Sequence, residues 1–402
     1  MKALEGVKIL DFSWVILGPM ITHYLAIHGA TVIRIESKAR VDPIRVSPPY
    51  KDRKPGINRA GYFAFFNANK LGMALNLNHL RSREVLERLI NWADVVVENF
   101  TPGMMEKWGL GYEDLKKIKP DIIMLRTSNL GQTGPLARRP GFGHNLVALL
   151  GFSHLTGWPD GPPQAMGVAY SDVVTPRFGV AALCAALVHR RKTGKGQMLD
   201  LSQMESSLQF LAPLILDYTV NHRESNRRGN FCPYAAPHGV YRCRGDDRWC
   251  AITVFTDDEW RGFCKVIGHP EWTQDLRFKT LLNRKRNEAE LDRLVEAWTI
   301  NFSPQEVMER MQKAYVPCGI VSSSEDIFHD PQLKGQEIFW KLNHPEIGPI
   351  SHLGQPFILS KTPAAPQNPA PCLGEHTEYV STQILGFSDK EFLELLNEGV
   401  FE

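Results

Sequence analysis

Asp172 is the side chain whose type and setting best suit covalent chemistry. It ends the run Gly161-Pro162-Pro163-Gln164-Ala165-Met166-Gly167-Val168-Ala169-Tyr170-Ser171-Asp172, ahead of an apolar helix that closes on Arg191-Lys192-Thr193-Gly194-Lys195-Gly196-Gln197. The glycines and prolines shape a turn that presents the carboxylate. Thr175 followed by Pro176 reads as N-cap and first helical residue, which sets Asp172 beside the positive end of the helix dipole. An ionised, partly desolvated Asp in that place is a nucleophile toward an acyl carbonyl. The competing reading is an ordinary turn or capping Asp.

Three other groups carry possible chemistry. His144, in Gly141-Phe142-Gly143-His144-Asn145, is a candidate general base or a merely exposed loop residue. Cys318, in Val316-Pro317-Cys318-Gly319, has no cation or helix N-terminus beside it, so a packing role outweighs a thiolate nucleophile. Lys38, Arg40, Arg45, Lys70, Lys107, Arg138 and Arg139 are scattered over loops and suit a long polyphosphate held at several points. Each of them alone is better explained by solvated surface charge.

Several chemistries are excluded. The turn after the first strand lacks G-x-G-x-x-G, and no Walker A loop is present. Seven cysteines without a C-x-x-C pair and thirteen histidines without H-E-x-x-H leave no metal site. They point to reduced thiols in a cytoplasm. A net charge of +2 gives no case for nucleic acid. The longest apolar run, Phe178 to Val188, is too short to span a bilayer, and Met1-Lys2-Ala3-Leu4-Glu5 opens no signal peptide.

The elements that must position these residues alternate. Val7–Phe12 reads as a buried strand, Gly18 to Gly29 as a helix, and Ala30–Glu36 as a second strand, a βαβ unit with parallel pairing. Helix Arg81–Trp92, strand Asp94–Asn99, helix Met104–Lys117 and strand Asp121–Ser128 continue the pattern. The whole is an α/β fold, a doubly wound parallel sheet. Phe178–Leu187 is apolar nearly all round and reads as a central buried helix, followed by strand Gln197–Leu201 and a long helix Met204–Thr219. A large domain therefore covers residues 1–220. Residues 221–330 form a linker and a smaller α+β domain, with a hairpin over Gly239–Phe255 and helices Asp257–Ile267, Asn287–Thr299 and Pro304–Tyr315. Residues 331–402 run through prolines to a helix at Asp389–Asn397. Ligands of such sheets bind beyond the strands' carboxyl ends, here Ser13–Pro19, Glu36–Arg45 and Asn99–Gly103.

A series of motifs resembles class III CoA-transferases, the family of formyl-CoA, carnitine and bile-acid CoA-transferases. They run in order from Gly6-Val7-Lys8-Ile9-Leu10-Asp11-Phe12 with Gly18-Pro19, through His28-Gly29-Ala30-Thr31-Val32-Ile33-Arg34-Ile35-Glu36, Asn67-Ala68-Asn69-Lys70 and Asp94-Val95-Val96-Val97-Glu98-Asn99-Phe100-Thr101-Pro102-Gly103. Gly131-Gln132-Thr133-Gly134-Pro135, Leu155-Thr156-Gly157, the Asp172 segment and Thr193–Gln197 follow. Late members are Pro317-Cys318-Gly319, Leu359-Ser360-Lys361-Thr362-Pro363 and Pro371-Cys372-Leu373-Gly374-Glu375-His376.

The resemblance implies a Rossmann-like large domain, a small domain, and two ring-shaped chains interlocked as a dimer, with the C-terminal segment returning to the large domain. It implies a catalytic carboxylate at Asp172 and CoA contacts at Val15, Lys70, Asn99, Phe100, Lys107 and Arg139. It implies no permanently bound cofactor, coenzyme A or acyl-CoA being substrate. Asp172 would form an acyl anhydride, then a CoA thioester, before the acceptor acid reverses the sequence. Two features depart from the family. Phe231–Gly239 lacks the glycine run of a covering loop, and Val41 stands where a glycine is common. Ile16 with Trp14, Leu17, Phe63, Phe65 and Phe66 suggests an apolar or aryl-bearing acyl group, or else core. Two other functions stay open: an α-methylacyl-CoA racemase using His144 and Asp172, and a non-catalytic CoA-binding subunit of a heteromer.

Overall fold

The computed structural model describes residues 1–402. The chain forms two compact units: residues 1–152, 165–224 and 336–402 make one, residues 153–164 and 225–335 the other.

The first unit is built on six strands: β1 (Lys8–Asp11), β2 (Thr31–Glu36), β3 (Leu71–Ala74), β4 (Val95–Glu98), β5 (Ile123–Ser128) and β6 (Met198–Ser202). All pairings are parallel, in the order β3-β2-β1-β4-β5-β6. Side chains alternate across a strand, and neighbouring residues here serve two cores. Leu10, Ile33, Val96 and Met124 enter one cluster, while Ile9, Val32, Val95 and Ile123 enter another on the opposite face. Burial on both faces explains why these strands read as unbroken apolar runs. Helices α1 (Leu17–Ile27), α2 (Gly61–Asn67), α3 (Ser82–Trp92), α4 (Met104–Lys107), α5 (Tyr112–Ile118) and α6 (Gly143–Leu149) follow in order, then α8 (Tyr170–Thr193), α9 (Gln203–Leu208) and α10 (Ala212–Asn221), while the short α7 (Phe152–Leu155) falls almost wholly in the second unit. Late in the chain the hairpin β10 (Phe339–His344) and β11 (Gly348–Leu353) forms. The helix Asp389–Asn397 then sends Phe392 and Leu395 into the cluster of Leu10, with Val400 and Phe401 beyond it.

The second unit holds an antiparallel sheet, β7 (His238–Arg242), β8 (Trp249–Thr253) and β9 (Cys318–Ile320). Its helices α11 (Asp257–Val266), α12 (Leu281–Arg286), α13 (Glu288–Thr299) and α14 (Pro304–Lys313) bury Trp260, Phe263, Leu291, Val295, Val307 and Met311 against Tyr241, Cys250 and Ile252.

Four expectations need correction. Helix α8 starts at Tyr170, so Thr175 is not its N-cap and Pro176 lies inside it. Pro176 has no N–H to give the Asp172 carbonyl four residues back. Helix α8 is also not buried all round: Gly179, Leu183 and Ala186 face the core, while Phe178, Ala181, Ala185 and Val188 are exposed. It covers one face of the sheet, and a single chain leaves its other side bare. The helix foreseen over Met104–Lys117 breaks into α4 and α5 at Gly109, whose φ of +63° ends α4. The helix foreseen over Met204–Thr219 is α9 and α10 joined by a turn at Gln209–Leu211, where Pro213 withholds a donor from Gln209. Strand β3, Leu-Gly-Met-Ala, was not foreseen because it carries no β-branched residue to signal it.

Candidate active site

The strand order reverses between β1 and β4, the point where doubly wound sheets open a crevice. The loops leaving these two strands are joined there through Asn99. Its Oδ1 accepts the Trp14 N–H at 2.8 Å and its Nδ2 donates to the Trp14 carbonyl at 2.8 Å. Phe100 meets Trp14 edge-on at 5.6 Å and Trp108 at 5.3 Å, and the Arg40 guanidinium lies 5.3 Å over the Trp14 ring. Val15 has a φ of +64°, a strained conformation for a β-branched residue, costing about 1–3 kcal/mol. Its N–H is held by both Asp42 carboxylate oxygens, at 3.2 and 3.1 Å.

Beneath this loop lies a buried cluster of three anions and three cations: Asp11, Glu36, Asp42, Arg34, Arg45 and Lys70. Arg34 is paired with Asp42 and lies 3.6 Å from Glu36, and Arg45 makes a fork onto Glu36 at 2.8 and 2.7 Å. Burial works against the Asp11 carboxylate, but Lys70, Arg34, Ser13 and Thr22 outweigh it and hold its carboxyl below the ordinary range. Burial lowers Lys70 to about 8 despite Asp11. For Asp42 burial prevails over Arg34 and pushes the carboxyl up. Pairing therefore wins over burial at Asp11, burial wins over pairing at Asp42 and Lys70, and no member has water to fall back on.

Lys70 therefore differs from its sequence reading as a loop cation. Its ammonium donates to Asp11 Oδ2 at 3.0 Å, the Pro19 carbonyl at 2.9 Å and Asn67 Oδ1 at 2.9 Å. All three of its protons are used, so none is left for a phosphate. Lys107, at the end of α4, and Arg139, in the loop after β5, are exposed. Val15, Asn99 and Phe100 are thus brought together by the strand order, Lys70 is spent beneath them, and of the two exposed cations Lys107 ends helix α4 while Arg139 stands on the loop after β5. Of the suggested acyl-group lining, Leu17, Phe63 and Phe66 are core, with Phe63 packed 3.4 Å from the Arg45 guanidinium carbon. Trp14, Ile16 and Phe65 are half-buried.

Asp172 lies in the first turn of α8, where the helix dipole favours its charge. Its Oδ1 accepts a hydrogen bond from Gln203 Nε2 at 2.5 Å. A Cβ on Gly143 would stand 2.7 Å from its Cγ and both oxygens, so only glycine lets α6 lie against the carboxylate. Ser171 Oγ donates to the Gly143 carbonyl at 3.4 Å, fastening the two helices. Burial raises the Asp172 carboxyl above its ordinary value, while Gln203 and the charge of His144 partly oppose that shift. His144 is itself exposed, next to Gly143. Val173, one residue on, packs in the cluster that also holds Val15 and Ile16. Gly143 and Gln203 escaped the sequence reading. The signal for Gln203 was its place directly after β6, one more carboxyl end of the sheet.

Cys318 sits half-buried on β9, where it pairs with Ile252 of β8, as part of the second unit's packing.

Fold and site together define a doubly wound α/β enzyme with a desolvated carboxylate beyond the carboxyl edge of its sheet. The chain belongs to CoA-transferase family III, whose family model matches residues 4–377. It is similar to the succinyl-CoA:glutarate CoA-transferase of Mus musculus, with 32% identity over 100% of this chain and 91% of that protein. It is 30% identical to the succinyl-CoA–D-citramalate CoA-transferase of Chloroflexus aurantiacus, over 97% of this chain and 96% of that one. The crystal structure of a CAIB/BAIF family protein from Brucella suis superimposes with a TM-score of 0.87 at 30% identity, covering 95% of this chain and 99% of that one.

Proposed function

We propose that this class III CoA-transferase moves CoA from an acyl-CoA to a carboxylic acid through covalent intermediates on Asp172. The observation that carries this is the Asp172 carboxylate itself: desolvated, hydrogen-bonded by Gln203 on one oxygen and fitted against Gly143. A carboxylate is a poor direct nucleophile toward a thioester in water. Splitting the exchange into anhydride and thioester steps on one part-buried carboxylate makes each step easier, and excluding water once substrate is bound would protect the anhydride. CoA is substrate, with no permanent cofactor. Its contacts fall on Val15, Asn99, Phe100, Lys107 and Arg139, while Lys70 acts from below by holding the β1 loop in place.

For the acyl group, two features favour a compact acid over the apolar or aryl one suggested by the sequence. Half of the suggested apolar lining is core, and the two named relatives act on succinyl-CoA. A kcat/KM comparison of succinyl-CoA with an arylated acyl-CoA tests this, and a clear win for the arylated one would reverse it. The interlocked dimer and a cytoplasmic setting belong to the same proposal; all seven cysteines are free thiols, which supports a reducing compartment.

Trapping with hydroxylamine, followed by mass spectrometry, should find a hydroxamate at Asp172, and Asp172→Ala should abolish transfer. An adduct elsewhere, or transfer undiminished in the variant, would refute the proposal. The influence of His144 on Asp172 favours one alternative, α-proton exchange between the two. Incubation in deuterated water separates them, since α-deuteration without CoA exchange would mean racemisation.

A further inference from the structure

We propose that Gln203 is a catalytic residue, its amide N–H stabilising the oxyanion that forms on the Asp172 carboxyl group during CoA transfer. The inference rests on the aspartyl-intermediate reading given above.

Gln203 opens α9 directly after β6 and is 2% exposed. Its Nε2 donates to Oδ1 of Asp172 at 2.5 Å, whereas Oδ2 has no hydrogen-bond partner within the chain. Its own Oε1 is buried without a partner, as are the hydroxyls of Thr175, one turn beyond Asp172, and Ser207, one turn beyond Gln203. A residue kept only to fill this space would be apolar, because a buried polar atom without a partner is costly. An amide stands here instead, and its one bond is to the reacting carboxylate.

This asymmetry divides the labour between the two oxygens. Oδ2, free of the amide, attacks the acyl carbon; the carbon–sulfur bond breaks and CoA leaves as thiolate with the electron pair. Oδ1 is now the carbonyl oxygen of the aspartyl half of the anhydride, still facing Gln203. The thiolate sulfur adds to Cγ, and the carbonyl π pair moves onto Oδ1 as an oxyanion. Collapse breaks the Cγ–Oδ2 bond and releases the donor acid, leaving the aspartyl–CoA thioester. A carboxylate oxygen of the acceptor then adds to the same Cγ, charges Oδ1 again and expels the thiolate. In the covalent intermediates Gln203 meets a neutral carbonyl, and in the transition states an anion. The contact therefore strengthens where the barrier lies.

Gln203→Met keeps the shape and removes the donor. With acyl-CoA and no acceptor, the wild-type enzyme should release a burst of donor acid as the thioester forms. In Gln203→Met that burst should slow by about 100- to 1000-fold, with acyl-CoA affinity changed by no more than about threefold. The adduct trapped at Asp172 should shift from thioester toward the earlier anhydride. Gln203→Leu, which also lacks the donor, should show the same loss, and an unchanged Tm in both variants guards against a folding defect. Bursts within about tenfold of wild type would overturn the inference, as would losses matched by weakened acyl-CoA binding and a lowered Tm. If the wild-type enzyme itself forms no Asp172 adduct, the aspartyl reading fails and Gln203 falls with it. An adduct in wild type with an unaffected variant removes Gln203 alone.

Discussion

The burial that would make Asp172 reactive, as proposed, also bears on the stability of the fold. Its carboxyl is raised by burial, so the folded state binds that proton more tightly than the unfolded chain does. The ionised form consequently destabilises the fold at neutral pH, and this cost vanishes as pH falls below the ordinary Asp range. Two outcomes are expected. The acid limb of kcat/KM should fall at a pH above the ordinary Asp value, because the proposed nucleophile is the ionised form. Asp172→Asn should be inactive yet melt about 1–2 °C higher at neutral pH by calorimetry; an unchanged or lower Tm would count against a desolvated carboxylate. Gly143→Ala tests the fit on the other side. Its methyl would meet all three carboxyl atoms, and a displaced nucleophile should cost about 100-fold in kcat with acyl-CoA KM little altered. At this scale Asp172 was legible, since its neighbours in the chain mark it out. Gly143 and Gln203 touch it from other elements, and nothing local distinguishes a glycine that admits a carboxylate from one that makes a turn.

The elements at the switch point divide the cations into two kinds. Lys70 is enclosed with Asp11 and Arg34, whereas Lys107 and Arg139 are exposed. Removing one partner of a buried ion pair strands the other. Lys70→Met should therefore cost about 3–5 kcal/mol of stability, read from the denaturant midpoint. Lys107→Ala and Arg139→Ala should stay within about 0.5 kcal/mol of wild type and raise only the acyl-CoA KM. Equal stability losses in all three would contradict this division. From sequence alone the seven loop cations looked alike, because the two with buried partners find them on strands far off in the chain: Arg45 meets Glu36 on β2 and Lys70 meets Asp11 on β1. The alternation of strands and helices was legible from periodicity, as was the parallel sheet. Helix boundaries were not, where prolines or Gly109 broke an apolar pattern. The first turn of α8 was also missed, because Thr175-Pro176 imitates a start signal inside a helix.

Across the whole molecule, one apolar surface has no counterpart within the chain. Helix α10 buries none of its residues, and Phe210, Ile215, Leu216, Tyr218 and Val220 are exposed beside the bare side of α8. Contiguous exposed apolar residues of this kind are what the proposed interlocked dimer would cover. Interlocked chains cannot part while folded. Mass photometry on dilution should find dimers down to the lowest working concentration, and loss of dimer in urea should coincide with loss of helical signal. Folded monomers on dilution would exclude interlocking. The path of the chain within the first unit has a different consequence. Phe392, Leu395, Val400 and Phe401 close the same core that Leu10 opens. During synthesis the ribosome must deliver nearly the whole chain before that face of the sheet is sealed. Almost all of the second unit, residues 225–335, emerges before that. The nascent enzyme should pass through a stage with one finished unit and one open apolar sheet, the interval in which a chaperone has the most to protect.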